Sequence, residues 1–183
     1  MNDAELIAAY LAGDEGAFAT LTGRHLAAAY SFALRFVGEQ HEAEDIVQES
    51  FVKVWQNLKR YNKDSASFKT WLMRIVRNTC VDHLRKRKHV PFSAFEDTEG
   101  EGAFANVPTD SPLADELFSK IEDVAELQRA LGQLPAPYRE VLLLYYGEDM
   151  TFEEVADALG ASVNTVKSRH RRAMHRLRQH VRI

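Results

Sequence analysis

Apolar side chains recur at intervals of three and four along almost the whole chain, and nowhere do β-branched residues alternate. That spacing is the period of an α-helix buried along one side, and it excludes sheet-built architectures. It predicts helices over 2–12, 15–37, 41–59, 67–88, 119–132, 136–146, 152–159 and 163–181. The pattern breaks from His89 to Phe118, which holds Pro91, Pro108, Pro112, Gly100, Gly102, seven carboxylates and no Lys or Arg. Such a stretch reads as a flexible acidic linker, although Phe92, Phe95 and Phe104 are unusual for an idle spacer. The expected fold is all-α. Two small helical domains, 1–89 and 119–183, are joined by linker 90–118, and the second contains a helix-turn-helix.

With 183 residues, 45% of them hydrophobic, the chain is long enough for one large domain or two small ones. Its longest apolar run, Val141 to Tyr146, falls far short of the roughly 18 residues of a membrane span. The start, Met1-Asn2-Asp3-Ala4-Glu5, lacks the apolar core of a secretory signal. A single Cys80 rules out an intramolecular disulfide and fits a reducing compartment. These features predict a cytoplasmic protein with no direct membrane insertion.

The net charge of −4 argues weakly against a nucleic-acid partner until it is divided along the chain. Residues 1–52 carry −7, 53–88 carry +9, 89–160 carry −13 and 161–183 carry +7. Each basic block ends one of the two predicted domains and follows an acidic block.

The C-terminal block has the layout of a DNA reader. Thr151 with Glu154 three residues later forms a capping box, and Phe152, Val155, Ala156 and Leu159 share one helix face. Gly160 suits a left-handed helix end, and Ser162 caps the next helix. At 100° per residue, Val163, Val166, His170, Ala173, Leu177 and Val181 form a packing stripe, where His170 is a core histidine. Asn164, Lys167, Ser168, Arg171, His175 and Arg178 occupy the opposite side. Taken alone, that basic side could be no more than a solvated helix face. Turn, caps and the absence of carboxylates after Asp157 together favour DNA.

No catalytic constellation, P-loop or dinucleotide fingerprint is present, so neither an enzyme nor a small-molecule substrate is expected. No cofactor is expected. His170, His175 and His180 lie five apart, which turns successive side chains by about 140° and spoils a shared metal face. Cys80 has no zinc-spaced partner and reads as a small packing residue.

Residues 151–173, TFEEVADALGASVNTVKSRHRRA, closely resemble the promoter-reading helix-turn-helix of bacterial sigma factors, a layout that response-regulator output domains share. Leu134-Pro135 with Arg139-Glu140-Val141 resembles the helix before it. Residues 43–55, AEDIVQESFVKVW, look like the family's polymerase-docking helix. Residues 68–85, FKTWLMRIVRNTCVDHLR, look like the helix that engages the −10 element. Both motifs in this order, with a short linker between domains, resemble the compact extracytoplasmic-function group.

That resemblance implies a dissociable promoter-specificity subunit whose partners are core RNA polymerase, promoter DNA and an anti-sigma factor. On the docking helix Val47, Phe51, Val54 and Leu58 form an apolar stripe. Opposite lie Asp45, Gln48, Glu49, Val52 and Gln56, a face that the residue pattern alone would read as solvated and that the family uses to grip polymerase. On the basic helix Leu72, Ile75, Val76, Thr79 and His83 pack, while Arg74, Arg77, Arg85 and Lys88 project toward duplex DNA.

Loop 59–67, KRYNKDSAS, includes Lys63 and corresponds to the one that captures a flipped −10 base, with Asn57, Tyr61 and Asn78 around the pocket. Tyr61 could equally be an aromatic that closes the core at a helix end. By the same resemblance Asn164, Lys167, Ser168, Arg171 and Arg172 meet the −35 element, with Thr165 near the phosphate backbone. The linker reads either as a segment entering the RNA path or as an acidic tether. Two other functions fit parts of the chain. A sigma-like mimic that titrates an anti-sigma factor would be expected to lose its DNA-facing cations, and a free-standing regulator has no need of the face carried by the Asp45–Trp55 motif.

Overall fold

The computed structural model describes residues 1–88 and 124–180. Among these the architecture is all-α. Helices α1 (Asp3–Leu11), α2 (Glu15–Val37), α3 (Gln40–Asn57) and α4 (Phe68–Lys88) form an N-terminal group. Helices α5 (Val124–Gln133), α6 (Ala136–Leu142), α7 (Phe152–Leu159) and α8 (Val163–His180) form a C-terminal group. The predicted linker 90–118 lies outside the described residues.

Caps set the helix ends. Asn2 and Glu5 form a capping box on α1, and Asp14 caps α2 through the Gly16 amide. Gly38 ends α2 with φ +84°, a conformation glycine adopts without a Cβ penalty. One predicted helix divides: after α6 the chain widens into a π-helical turn, Leu143–Gly147. Helix α3 likewise tightens into a 3₁₀ turn at Leu58–Arg60.

The N-terminal core is built where the apolar period placed it. Leu21, Phe32 and Phe36 of α2 meet Ile46, Val47, Phe51 and Val54 of α3 and Leu72, Val76 and Cys80 of α4, all buried. Each such side chain stabilises the group by about 1.5–3 kcal/mol relative to exposure. Burial pushes the free Cys80 thiol above its usual range, consistent with a packing residue. In the C-terminal group Leu134, Tyr138, Val141, Leu144, Val155, Val166, Ala173 and Leu177 are buried.

The two groups also pack against each other. Helix α4 lies against α7, and α2 meets α5 and the π turn. No helix among the described residues is long and apolar enough to cross a membrane.

Candidate nucleic-acid interface

The C-terminal helix-turn-helix is assembled from its caps inward. Thr151 Oγ1 accepts from the Glu154 amide at 3.2 Å, and Glu154 Oε2 accepts from the Thr151 amide at 2.9 Å. Gly160 ends α7 with φ +63°. Ser162 Oγ accepts from the Thr165 amide at 3.0 Å and contacts the Thr165 hydroxyl at 2.8 Å. Thr165 is therefore held at the start of α8. Asn164 is exposed, while Lys167, Ser168 and Arg171 are half-exposed. Lys167 Nζ sits 5.7 Å from the Phe152 ring centroid, which ties it back to α7.

Arg172 departs from expectation. Its relative exposure is 2%, so its side chain is buried and not on the exposed side of α8. It lies on the flank of α8 shared by Arg169 and Arg176, which reach Glu140 and Tyr138 of α6. Helical spacing explains this: 169, 172 and 176 are three and four apart. The motif resemblance assigns Arg172 by its position beside Arg171, and burial of the side chain does not follow from that position.

His170 is a core residue, as its place on the packing stripe predicts. Its Nε2 lies 2.9 Å from the Tyr146 hydroxyl, and the rings of Tyr145, Tyr146 and Phe152 surround it. Burial lowers its pKa to about 4, so the ring is neutral near pH 7.

In the N-terminal group the face expected to dock polymerase is solvent-exposed. Asp45, Gln48, Glu49, Val52 and Gln56 are all exposed along α3, with Val52 at 51%. Lys53 pairs with Glu49 at 2.8 Å and holds its carboxyl below the usual range. Trp55 is also exposed, and its indole donates to the Tyr10 hydroxyl at 2.6 Å. Sequence reasoning did not single it out as a surface residue.

The structure brings some of the expected −10 residues together. Tyr61 and Lys63 line a cavity of about 370 Å³ whose other wall is Ala4, Ile7, Ala8 and Leu11 of α1. Tyr61 also packs on Phe68 and Trp71, with centroids 5.8 and 5.3 Å away, and donates to the Ala66 carbonyl at 3.0 Å. Burial raises its phenol pKa. Asn57 donates to the Lys53 carbonyl at 2.8 Å, which finishes α3. Lys53 in turn donates to Thr79 at 3.0 Å, next to the exposed Asn78.

Along α4, Arg74, Asn78 and Arg85 are exposed, and the Lys88 side chain lies outside the described residues. Arg77 does not project into solvent as expected. Its Nε donates to Glu140 Oε2 at 2.7 Å, across the junction with α6, and its Nη1 donates to Asn78 Oδ1 at 3.1 Å. Glu140 is fully buried, and Arg169 of α8 approaches its second oxygen at 3.6 Å. Burial pushes the Glu140 carboxyl upward, opposed by both guanidiniums. Arg74 donates to the Asp157 carbonyl near the end of α7. Lys69 donates to the Glu148 carbonyl and lies 3.7 Å from its carboxylate.

Comparison with known proteins places both halves. A sigma-70 region 2 model matches residues 21–90, and a sigma-70 region 4 model matches 125–177. The chain is 32% identical to the ECF RNA polymerase sigma factor SigW of Bacillus subtilis, over 93% of this chain and 91% of that protein. The chain belongs to the extracytoplasmic-function group of the sigma-70 family. The sigma-H factor of Pseudomonas aeruginosa is 35% identical over 93% of this chain and 89% of its own.

Two solved sigma structures overlay nearly all of this sigma factor. CnrH in complex with the cytosolic domain of CnrY covers 97% of this chain and 95% of its own, with TM-score 0.69 and 28% identity. The sigma factor RpoE in complex with the anti-sigma factor NepR, from Bartonella quintana, covers 89% and 95%, with TM-score 0.67 and 27% identity. As a sigma factor the chain is a promoter-recognising subunit that binds core RNA polymerase and initiates transcription. Sigma factors are regulatory subunits of that polymerase.

Proposed function

We propose that this sigma factor divides promoter reading between two domains, 1–89 and 119–183, with 90–118 as their tether. Residues Asp45, Gln48, Glu49, Val52 and Gln56 dock the polymerase. Asn57, Tyr61, Lys63, Arg74, Arg77, Asn78, Arg85 and Lys88 engage the −10 element. Asn164, Thr165, Lys167, Ser168 and Arg171 engage the −35 element. The observation that carries this reading is the α7–turn–α8 unit, whose caps present Asn164, Lys167, Ser168 and Arg171 on the side away from its buried stripe. The exposed Val52 within a carboxylate and amide face supports docking, because a small apolar centre ringed by polar groups excludes water on contact.

The same reading makes the protein a cytoplasmic specificity subunit with no catalytic chemistry of its own, and its regulator an anti-sigma factor. The solved RpoE–NepR complex supports that last point.

Site-specific photocrosslinking tests the division. A photoreactive residue at position 78 is expected to label promoter DNA at −10, and one at 168 to label it at −35, both only with core polymerase present. Labels at reversed or unrelated positions would overturn the assignment.

A further inference from the structure

The cavity of about 370 Å³ between α1 and the turn that follows α3 is large enough for a small planar ligand. Its α1 wall is apolar and shallow: Ala4 and Ala8 are exposed, one helical turn apart, with Leu11 beyond them. The opposite wall begins with Tyr61, whose ring is fixed by the Ala66 carbonyl and by packing on Phe68 and Trp71. Asn62 Oδ1 accepts from the Asp64 amide at 3.0 Å, which leaves the Asn62 NH2 as a donor beside the Asp64 carboxylate, an acceptor. Lys63 lines the same wall, and Lys59 and Arg60 are exposed just before it.

We propose that this cavity is a second nucleobase subsite, which holds one unstacked base of the displaced strand between α1 and Tyr61. The inference rests on the reading of residues 1–89 as the −10 domain and adds a base to it. A fixed aromatic ring facing an apolar wall takes the flat face of a base, and nearby cations take the flanking phosphates. The paired donor and acceptor of Asn62 and Asp64 suit a Watson–Crick edge. This base is not the one expected at Asn57 and Asn78, because neither lines the cavity and the Asn57 amide is spent on the Lys53 carbonyl. The α1 wall also precedes residue 21, where the match to sigma-70 region 2 begins. It is set before DNA arrives. Asp3 accepts from Arg24 at 2.5 Å and meets His25 Nε2 at 2.8 Å, Arg24 donates to the Met1 carbonyl at 2.9 Å, and Leu6 and Ile7 are buried. A wall held in this way loses little freedom when a base enters. Ala4 and Ala8 keep the space open, and a larger side chain at either position would occupy it.

The test uses the full chain with core polymerase and a fluorescent single strand carrying the −10 element, in which an abasic site is moved one position at a time. With wild type, removing the base at two positions is expected to weaken binding by about tenfold each. Ala8→Phe fills the cavity. It should weaken binding of the intact strand by about tenfold and abolish the further loss at one of those positions only. Asn78→Ala should abolish the loss at the other. Unchanged affinity of Ala8→Phe for every strand would overturn the subsite. So would a loss that persists undiminished at every abasic position, since α1 would then act on the fold alone. If Ala8→Phe and Asn78→Ala silence the same position, there is one base and not two. Should Ala8→Phe fail to fold, Ala4→Leu, one turn earlier on the same wall, carries the same readings. A wild-type holoenzyme that shows no position-dependent loss at all would instead remove the −10 reading itself, and the subsite with it.

Discussion

Arg77 Nε lies 2.7 Å from Glu140 Oε2, joining α4, the helix proposed to engage −10 DNA, to α6, the helix before the helix-turn-helix. A buried pair of this kind adds little net stability, because desolvation offsets the attraction. Its consequence is geometric: α4 and α6 are tied together, and the Arg77 guanidinium is withdrawn from solvent.

The face proposed to dock polymerase is separable from the core. Glu49 and Val52 are exposed on α3, and the Glu49–Lys53 pair is worth only about 0.3–0.5 kcal/mol. Replacing both, Glu49→Arg with Val52→Arg, should leave unfolding within about 1 kcal/mol of wild type and abolish association with core polymerase. Core affinity equal to wild type, read by fluorescence anisotropy, would reject the docking assignment.

Arg172 should behave as a core residue. Its burial predicts that Arg172→Ala destabilises the chain by about 3 kcal/mol in urea unfolding, since truncating a buried side chain of that size leaves a cavity. A stable variant with altered −35 preference would show that Arg172 reads DNA after all.

His170 makes stability depend on pH. Its folded pKa, about 4, lies below the unfolded value of 6.5, so the folded state binds fewer protons through that range. The contribution is fully present above pH 6.5 and is lost as pH falls toward 4, amounting to about 3 kcal/mol at most. His170→Gln should flatten the unfolding free energy between those pH values relative to wild type. Parallel curves would mean that His170 does not titrate with folding.

Tyr61 packs on Phe68 and Trp71 and also walls the cavity beside α1. Tyr61→Leu preserves bulk but not stacking. Single-stranded −10 DNA should then bind the holoenzyme about tenfold more weakly, within the range of one base–aromatic stack. Equal affinity with lowered thermal stability would leave Tyr61 as a core-closing aromatic only.

Helix positions were legible because the apolar residues keep a 3.6-residue period, and both faces of α3 emerged from that period alone. The α7–turn–α8 unit was legible because Thr151, Glu154, Gly160 and Ser162 encode its caps locally. Arg77 and Arg172 were not. Arg77 is held by Glu140, far along the chain, and no local period reports a contact between residues 77 and 140; the burial of Arg172 likewise depends on packing beyond its own helix. Charge blocks hinted at the meeting of acid and base without fixing which residues meet. The π turn after α6 had no sequence signal, and it aims both Tyr145 and Tyr146 at His170.

The division of promoter reading is tested most directly by reconstituted transcription from a randomised promoter library with core polymerase. Wild type is expected to select two separated sequence blocks. Asn78→Ala should relax only the −10 block, and Arg171→Ala only the −35 block, by about 1–3 kcal/mol per base read. Selection of a single block, or relaxation of both blocks by either variant, would contradict it.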